Sequence, residues 1–368
     1  MSSQQPEAIE REEIEGLGEH DDGTWGDYPL DTVLIRTETR TVFDVVRRMD
    51  GGSFVMDPDF QRDFIWLEDK QSKLIESVLM RIPLPVFYLA EDEDGRMIVV
   101  DGLQRLSTFQ RFFKNELRLK LPDQEELHKR RFEELPPKLQ NRVEDCNLVL
   151  YIIDAKVPER ARLDIFERVN GGEPLTRQQM RNCLYMGPAT KFLKDEAATQ
   201  IFLQATGNSL QTRTMRNREF VNRFVSFHQL PLADYKRDMD EFLALGLKTL
   251  NNKSNSDRVQ LSEAFRRSLK NNFSVFGKNA FRKHADGQKN RGVLNASLWD
   301  VMSTGLSRYA EDLVEERANV LRHAYYELMN NEEFIKSITY SVNGTKQVKL
   351  RFEVATAMFK EVFGADST

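Results

Sequence analysis

The tightest constraint on the fold lies in residues 86–113, where two short apolar runs and a helical period follow one another with almost nothing between them. Residues 86–90 read as a strand. Glu91-Asp92-Glu93-Asp94-Gly95 reads as a turn, and residues 97–100 as a second strand that pairs with the first in a hairpin. A helix follows at once, from Leu103 to about Phe113. Only Asp101 and Gly102 separate strand from helix, so the chain must reverse there. Gly102 permits a tight reversal and close backbone approach. The first N–H groups of the helix then point at the turn, with the positive end of its dipole, which suits an anion. Arg105 stands in the first turn, where a guanidinium can hold a phosphate through two N–H groups. Gln104 can donate and accept. Asp101 would be repelled by a bare phosphate, so its useful roles are to hold a divalent cation, to orient a water or to fix Arg105. The competing reading is an N-cap aspartate with a surface ion pair, and these residues alone weigh the two about equally.

The rest of the N-terminal half follows the same mixed pattern. Residues 41–49 have helical spacing, with Val42, Val45, Val46 and Met49 on one side. Residues 68–80 form a second amphipathic helix that presents Leu74, Ile75, Val78 and Leu79 to a core and ends at Pro83 and Pro85. Residues 148–153 read as a strand. Pro158 opens a helix through Arg168, where its missing N–H is not needed. Asn170-Gly171-Gly172 breaks that helix, and Thr176 with Gln179 has capping-box spacing for another. Beyond about Gly187 helical periodicity dominates. Phe220, Phe224 and Phe227 share one face, and Val348, Phe352, Ala355, Phe359 and Val362 another. The expected fold class is therefore α+β, with an N-terminal mixed domain over residues 31–186 and a mostly helical domain over residues 187–368.

Two further clusters bear on the Asp101 junction. Residues 58–66 interleave Phe60, Phe64 and Trp66 with Gln61 and Arg62. The aromatic residues are more readily core than stacking platforms, whereas Gln61 and Arg62 have no such structural excuse. Residues 166–172 form a helix end running into a glycine-rich turn. Arg168 there has a plain helix-dipole reading and the glycines a plain C-cap reading, with a phosphate or metal loop as the sharper alternative.

These clusters resemble the N-terminal domain family of GmrSD-type modification-dependent restriction enzymes. The family pattern reads approximately Pro-x-Phe/Tyr-Gln-Arg-x-Phe/Tyr-x-Trp, then Asp-Gly-x-Gln-Arg, then Phe-x-Arg-x-Asn-x-Gly-x-x-Leu. The matching positions are Pro58, Phe60, Gln61, Arg62, Phe64 and Trp66; then Asp101, Gly102, Gln104 and Arg105; then Phe166, Arg168, Asn170, Gly172 and Leu175. Leu103 stands where the family usually has a glutamine. Order and spacing agree over roughly residues 32–185. The resemblance implies a ParB/sulfiredoxin-like fold and an NTP-binding, NTP-hydrolysing sensor or regulatory component of a bacterial anti-phage or restriction system. It implies that Asp101, Gln104 and Arg105 serve hydrolysis, with Asp101 toward Mg²⁺. It further implies that Gln61, Arg62, Gly102, Arg168, Asn170 and Gly172 line the nucleotide pocket.

Charge looks unfavourable to nucleic acid at first, since the net is −5. The average conceals an asymmetry. Residues 1–31 carry ten acids against Arg11 alone, net −9, and the remaining 52 bases and 48 acids sum to +4. Residues 1–30 therefore read as a disordered acidic tail, solvating in the first reading and autoinhibitory or partner-binding in the second. Residues 258–294 carry nine bases against Glu263 and Asp286, interleaved with Phe265, Phe273, Phe276 and Phe281. This stretch is read equally as a DNA-binding surface and as a helical core with a solvated basic face. Arg213, Arg216, Arg218 and Arg223 lie close together as a second arginine group, with a reach back to the nucleotide pocket as their alternative reading.

The five histidines are scattered, none in an HNH-like context, which argues against DNA cleavage by this chain alone. A separately encoded nuclease or effector is the expected partner. A non-catalytic DNA-binding or adaptor module is the alternative, and a ParB-like metal-dependent nuclease a weaker one. Two cysteines, Cys146 and Cys183, exclude a disulfide framework. A polar N-terminus and the lack of a long apolar run lead to the expectation of a cytoplasmic protein without a membrane partner.

Overall fold

A computed structural model describes residues 14–17, 34–56, 66–92, 94–169, 176–236, 238–288 and 290–364. The chain divides into two compact units, Trp25–Met186 and the combination of Met1–Thr24 with Gly187–Thr368. The first strand, β1 (Ile14–Glu15), belongs to the second of these.

The Trp25–Met186 unit is α+β. Its sheet contains β2 (Ile35–Thr41), β3 (Phe54–Val55), β4 (Phe87–Glu91), β5 (Met97–Asp101) and β6 (Asn147–Ile153), in the order β2-β6-β4-β5-β3. The β4–β5 hairpin is antiparallel, as its turn chemistry predicts, while β6 runs parallel to β4 and antiparallel to β2. Helices α1 (Val42–Asp50), α2 (Glu68–Leu79), α3 (Leu103–Phe113), α4 (Pro137–Glu144), α5 (Glu159–Val169) and α6 (Arg177–Leu184) complete the unit.

The core follows directly from the periodicity. Val42, Val45, Val46 and Met49 of α1 and Leu74, Ile75, Val78 and Leu79 of α2 are all buried. They join Phe87, Leu89, Leu150 and Ile152 of the sheet and Leu106, Phe109 and Phe112 of α3 in one cluster. Thr41 caps α1 by accepting from the Asp44 N–H at 3.2 Å. Thr176 and Gln179 form the capping box at the start of α6. The strand β2 was not anticipated. Its sequence, Ile-Arg-Thr-Glu-Thr-Arg-Thr, alternates in the strand period but carries little apolar weight, because it is an edge strand.

The second unit is a helical assembly. Its helices are α7 (Pro188–Ala197), α8 (Gln200–Thr206), α9 (Arg216–Gln229), α10 (Met239–Asn252), α11 (Asn255–Phe276), α12 (Ala296–Leu306), α13 (Glu311–Glu316), α14 (Ala318–Asn330), α15 (Glu332–Thr339) and α16 (Thr345–Phe363), with a two-residue strand β7 (Leu294–Asn295) before α12. Phe220, Phe224 and Phe227 are buried as their spacing requires. At its centre, Asp300 of α12 receives both Nε and Nη2 of Arg223 at 2.8 and 2.7 Å and Nη2 of Arg351 at 2.9 Å. All three are almost wholly excluded from solvent. Burial depresses both arginines, but the double contact with Asp300 outweighs it at Arg223, which ends above its ordinary value. Arg351, with a single such contact and Arg223 beside it, stays below. Arg223 is thus committed to the core of its own unit, and Arg216 pairs with Glu219 on the same helix.

The 258–294 stretch is partly internal. Phe265, Phe276 and Phe281 are buried core residues. Arg266 pairs with Glu196 and Lys270 with Glu311, while Arg267 donates twice to the Ser307 carbonyl. Arg282 is buried and donates to the carbonyls of Ala280 and Thr206. The aromatic interleaving is therefore helix–helix packing.

The expectation for the acidic tail needs correction over residues 14–17. Ile14 and Glu15 pair parallel with Leu294 and Asn295 in a two-stranded ribbon. The short Ile-Glu-Gly-Leu run has enough apolar and backbone complementarity to dock, which a tally of charge does not register. The remaining residues of 1–30 lie outside the described ones.

Two stability predictions follow from the helical unit. Asp300→Asn removes the counter-charge from two buried guanidinia and should cost about 3–5 kcal/mol, readable as a lowered denaturant midpoint at constant m. His228 stacks on Phe224 and meets the Ser307 hydroxyl at 3.2 Å. Burial, and then Arg308, Arg267 and Lys253, push its pKa down from 6.5 to about 4. The unfolded chain therefore takes up a proton that the folded unit refuses, and stability should fall as pH drops from about 6.5 towards 4. In His228→Gln, thermal melts across that window should lose this part of the slope.

Candidate functional site

Asp101 is the last residue of β5 and stands in register opposite Tyr88 of β4, next to an irregularity in the ladder. Gly102 then turns the chain with φ +102°, and α3 starts at the following residue. Only glycine fits here. A Cβ at Gly102 would lie 2.3 Å from Cδ1 of Phe87, and the backbone angle is strained for any side chain. The reversal expected from the sequence is thus locked by the Phe87 ring beneath it.

Arg105 occupies a different place from the expected phosphate clamp. Its Nη1 donates to the Pro85 carbonyl, and its Nη2 to the Val86 carbonyl at 3.1 Å and to Oδ2 of Asp101 at 2.8 Å. The guanidinium also lies over the Phe87 ring, 4.2 Å from its centroid. Its side chain is only 10% exposed, against 35% for Asp101. Burial lowers the Arg105 pKa, and the Asp101 carboxylate offsets part of that. The donors are spent on the loop before β4, because a buried guanidinium must satisfy its N–H groups. Of the roles open to Asp101, holding Arg105 is realised through Oδ2, while Oδ1 has no partner among the described residues.

Gln104 ties the first motif to the second. Its Oε1 accepts the backbone N–H of Trp66 at 3.0 Å. The Trp66 carbonyl accepts from Nε2 of Gln71, whose own Oε1 accepts from Arg111 at 2.8 Å. The Trp66 ring is half-buried against the core and carries Lys70 over its face. Trp66 ends the cluster that contains Gln61 and Arg62; those two residues, with Asn170 and Gly172, lie outside the described ones. The third motif is brought to the same strand, since α5 and α6 both pack against β5. Arg162 of α5 donates to the Glu91 carbonyl, and Arg177 of α6 pairs with Asp164 of α5 at 2.8 Å. Arg168 sits exposed in the last turn of α5.

Two features escaped the sequence reading. Helix α6 buries polar groups: Gln178 donates to Asn182 at 2.8 Å and accepts from Nε and Nη2 of Arg181 at 3.1 and 3.0 Å. The visible signal was the run Arg177-Gln178-Gln179-Met180-Arg181-Asn182, too polar for a buried helix without a reason. Tyr88 and Tyr151 pair on adjacent strands with rings 5.4 Å apart, beside Asp101. Their alternation with core residues hid them as ordinary strand positions.

Residues 42–186 match the family model described as GmrSD restriction endonuclease, N-terminal domain. This unit is a GmrSD N-terminal domain. All three motifs fall inside the match, which points to a component of a restriction system. No curated protein matches the chain. No helix among the described residues is long and apolar enough to cross a membrane.

Among the described residues no group of three His, Cys, Asp or Glu side chains is placed to hold a metal ion. A lone carboxylate such as Asp101 suits Mg²⁺ that arrives with phosphate oxygens and its own waters, and it does not suit a resident ion.

Gly102→Ala should destabilise this unit by about 2 kcal/mol or more, from left-handed strain together with overpacking against Phe87. A Phe87→Leu background, which vacates the clashing ring edge, should return part of the loss in a double-mutant cycle.

Proposed function

We propose that the GmrSD-type unit binds a nucleoside triphosphate with Mg²⁺ at the Asp101–Arg105 junction and hydrolyses it, as a nucleotide-gated sensor in a modification-dependent restriction system. The observation that carries this reading is the convergence at one strand end. Asp101 presents an Oδ1 that has no partner among the described residues, and the amides of the α3 first turn follow a glycine reversal. Trp66 is pinned beside them by Gln104, and α5 and α6 pack on the same strand.

The chain's own groups divide the work. The α3 N-terminus supplies N–H donors and a positive dipole end for phosphate oxygens. Nε2 of Gln104 has no partner among the described residues and is the donor left for ligand once Oε1 is held by Trp66. Asp101 orients the attacking water or shares the cation. Arg105 acts through Asp101, fixing its carboxylate through Oδ2. Gln61, Arg62, Arg168, Asn170 and Gly172 complete the pocket on the strength of the family pattern. Mg²⁺, which Asp101 would help hold, would supply positive charge against the phosphates and so lower their repulsion from the carboxylate.

The test is a nucleotide panel with Mg²⁺, read by thermal shift and by phosphate release. A nucleotide held at 100 times its Kd should stabilise the unit by about 2.7 kcal/mol. Asp101→Asn should abolish phosphate release and also lower the apo melting temperature, because it removes the counter-charge of the buried Arg105, so release is compared at a temperature where both proteins are folded. Arg105→Lys should lower release and melting temperature as well, because lysine cannot satisfy two carbonyls and a carboxylate together. The reading is wrong if no nucleoside triphosphate shifts the melt. DNA contact through part of the 258–294 stretch and a separately encoded nuclease or effector belong to the same proposal, as the output that hydrolysis would control.

A further inference from the structure

Gln104 stands at the end of a hydrogen-bonded chain that starts about two turns further along α3. Nη1 of Arg111 donates to Oε1 of Gln71 at 2.8 Å. Nε2 of the same Gln71 donates to the Trp66 carbonyl. The Trp66 N–H donates to Oε1 of Gln104 at 3.0 Å. Neither Arg111 nor Gln71 belongs to the three motifs. Gln71 lies in α2 and is buried, and Trp66 packs against the core with Nζ of Lys70 4.4 Å from its ring centroid.

The chain has a sense. An amide side chain offers oxygen and nitrogen in nearly the same shape, so its partners decide which end is which. A guanidinium and a backbone N–H only donate. Arg111 therefore fixes Oε1 of Gln71 as the acceptor and leaves Nε2 as the end that meets the Trp66 carbonyl. With Gln71 reversed, two oxygens would face each other and Arg111 would lose its acceptor. The Trp66 N–H fixes Gln104 in the same way, so the end of Gln104 without a partner among the described residues is Nε2, a donor. Trp66 is thus held at its N–H from α3 and at its C=O from α2. Those two bonds pin the backbone on both sides of its Cα, and with it the point from which Gln104 is held. A tie between α2 and α3 needs only the Arg111–Gln71 bond. The second bond of Gln71 carries the link to Gln104.

We propose that Gln71 and Arg111 are positioning residues of the Asp101–Arg105 site: through Trp66 they hold Gln104 with its Nε2 as a donor for a phosphate oxygen of the nucleotide. The proposal deepens the nucleotide reading and rests on it. Gln104 is the second residue of α3, and the first N–H inside that helix to find a backbone acceptor is that of Leu106, on the Gly102 carbonyl at 2.9 Å. The Gln104 donor and the earlier N–H groups of the first turn therefore belong to one helix end, a set of donors that suits an ionised phosphate. A donor displaced by movement of Trp66 is lost to ground state and transition state alike, so the loss falls on KM.

The test measures phosphate release from ATP and from GTP with Mg²⁺ by the full chain, over a range of nucleotide concentration. The variants are Gln71→Met, Arg111→Met, Arg111→Lys and Gln104→Glu, each at a temperature where it is folded. The backbone amide of Trp66, followed in protein carrying isotope-labelled tryptophan and assigned with Trp66→Phe, reports the bond to Gln104 by its hydrogen exchange. Gln71→Met should speed that exchange and raise KM several-fold with kcat little changed. Arg111→Met should do the same in smaller measure, and Arg111→Lys, which keeps a donor, should restore most of the loss. Gln104→Glu keeps an acceptor for the Trp66 N–H and removes the donor, so exchange should stay slow while KM rises. In the Gln104→Glu background, Gln71→Met should raise KM no further, because both changes act through one group. The relay is overturned if Gln71→Met lowers the melting temperature alone, if kcat falls at unchanged KM, or if KM rises while the Trp66 amide stays protected. It is equally overturned if the losses of Gln71→Met and Gln104→Glu add. A wild-type chain that turns over neither nucleotide, with neither shifting its melt, fails the nucleotide reading and the relay together. Wild-type turnover that Gln71→Met leaves unaltered overturns the relay alone.

Discussion

The guanidinium of Arg105 is the point on which the N-terminal unit's site depends. It gathers two carbonyls from the segment before β4, the carboxylate at the end of β5 and the face of Phe87. A buried guanidinium is tolerable only when its donors are met and a counter-charge is near. Those demands fix the Pro85–Phe87 segment, the Asp101 rotamer and the first turn of α3 together. The glycine at position 102 follows from the same geometry, because the Phe87 ring under the arginine leaves no room for a Cβ. What resembles a phosphate-binding arginine in the sequence is, in the fold, the residue that aims the aspartate.

The helical unit solves a similar problem with a different outcome. Asp300 collects Arg223 and Arg351 at the centre of α9, α12 and α16, where no solvent or ligand reaches them. Such an arrangement contributes register and mutual orientation of the helices more than net stability. Arg266, Arg267, Lys270 and Arg322 of this unit are likewise held by carboxylates or carbonyls of neighbouring elements. The edge beside β7 departs from this pattern, because there a base is answered by an acid from the far N-terminus of the chain.

Local rules were legible wherever a segment's structure depends on its own residues. The helix over residues 103–113, the α1 and α2 core faces, the capping box at Thr176 and the β4–β5 hairpin all follow from spacing, caps and turn chemistry. The edge strand β2 was not legible, since an edge strand carries its partner's information and little of its own. The polar burial in α6 was not legible either: whether Gln178 and Arg181 face water or each other is decided by what packs over them. In the 258–294 stretch the sequence left two readings balanced. Burial assigns Phe265, Phe276 and Phe281 to the core, while Arg266, Lys270, Lys278 and Arg291 stay exposed.

By itself the sequence determined the α+β then helical order, the strand–helix reversal at Gly102, and the family of the N-terminal unit through three ordered motifs. These depend on short-range periodicity and on residue types whose backbone or hydrogen-bonding demands are intrinsic. Only the tertiary structure decided the partners of the charges. It turned Arg105 towards Asp101 and the chain beneath it, spent Gln104 Oε1 on Trp66, buried Arg223 against Asp300 and set Glu15 on Lys283. Charge is a sum in the sequence and a set of distances in the fold. Coulombic and hydrogen-bond energies depend on the distances, so the −5 of the whole chain says less than the 2.8 Å between Arg105 and Asp101.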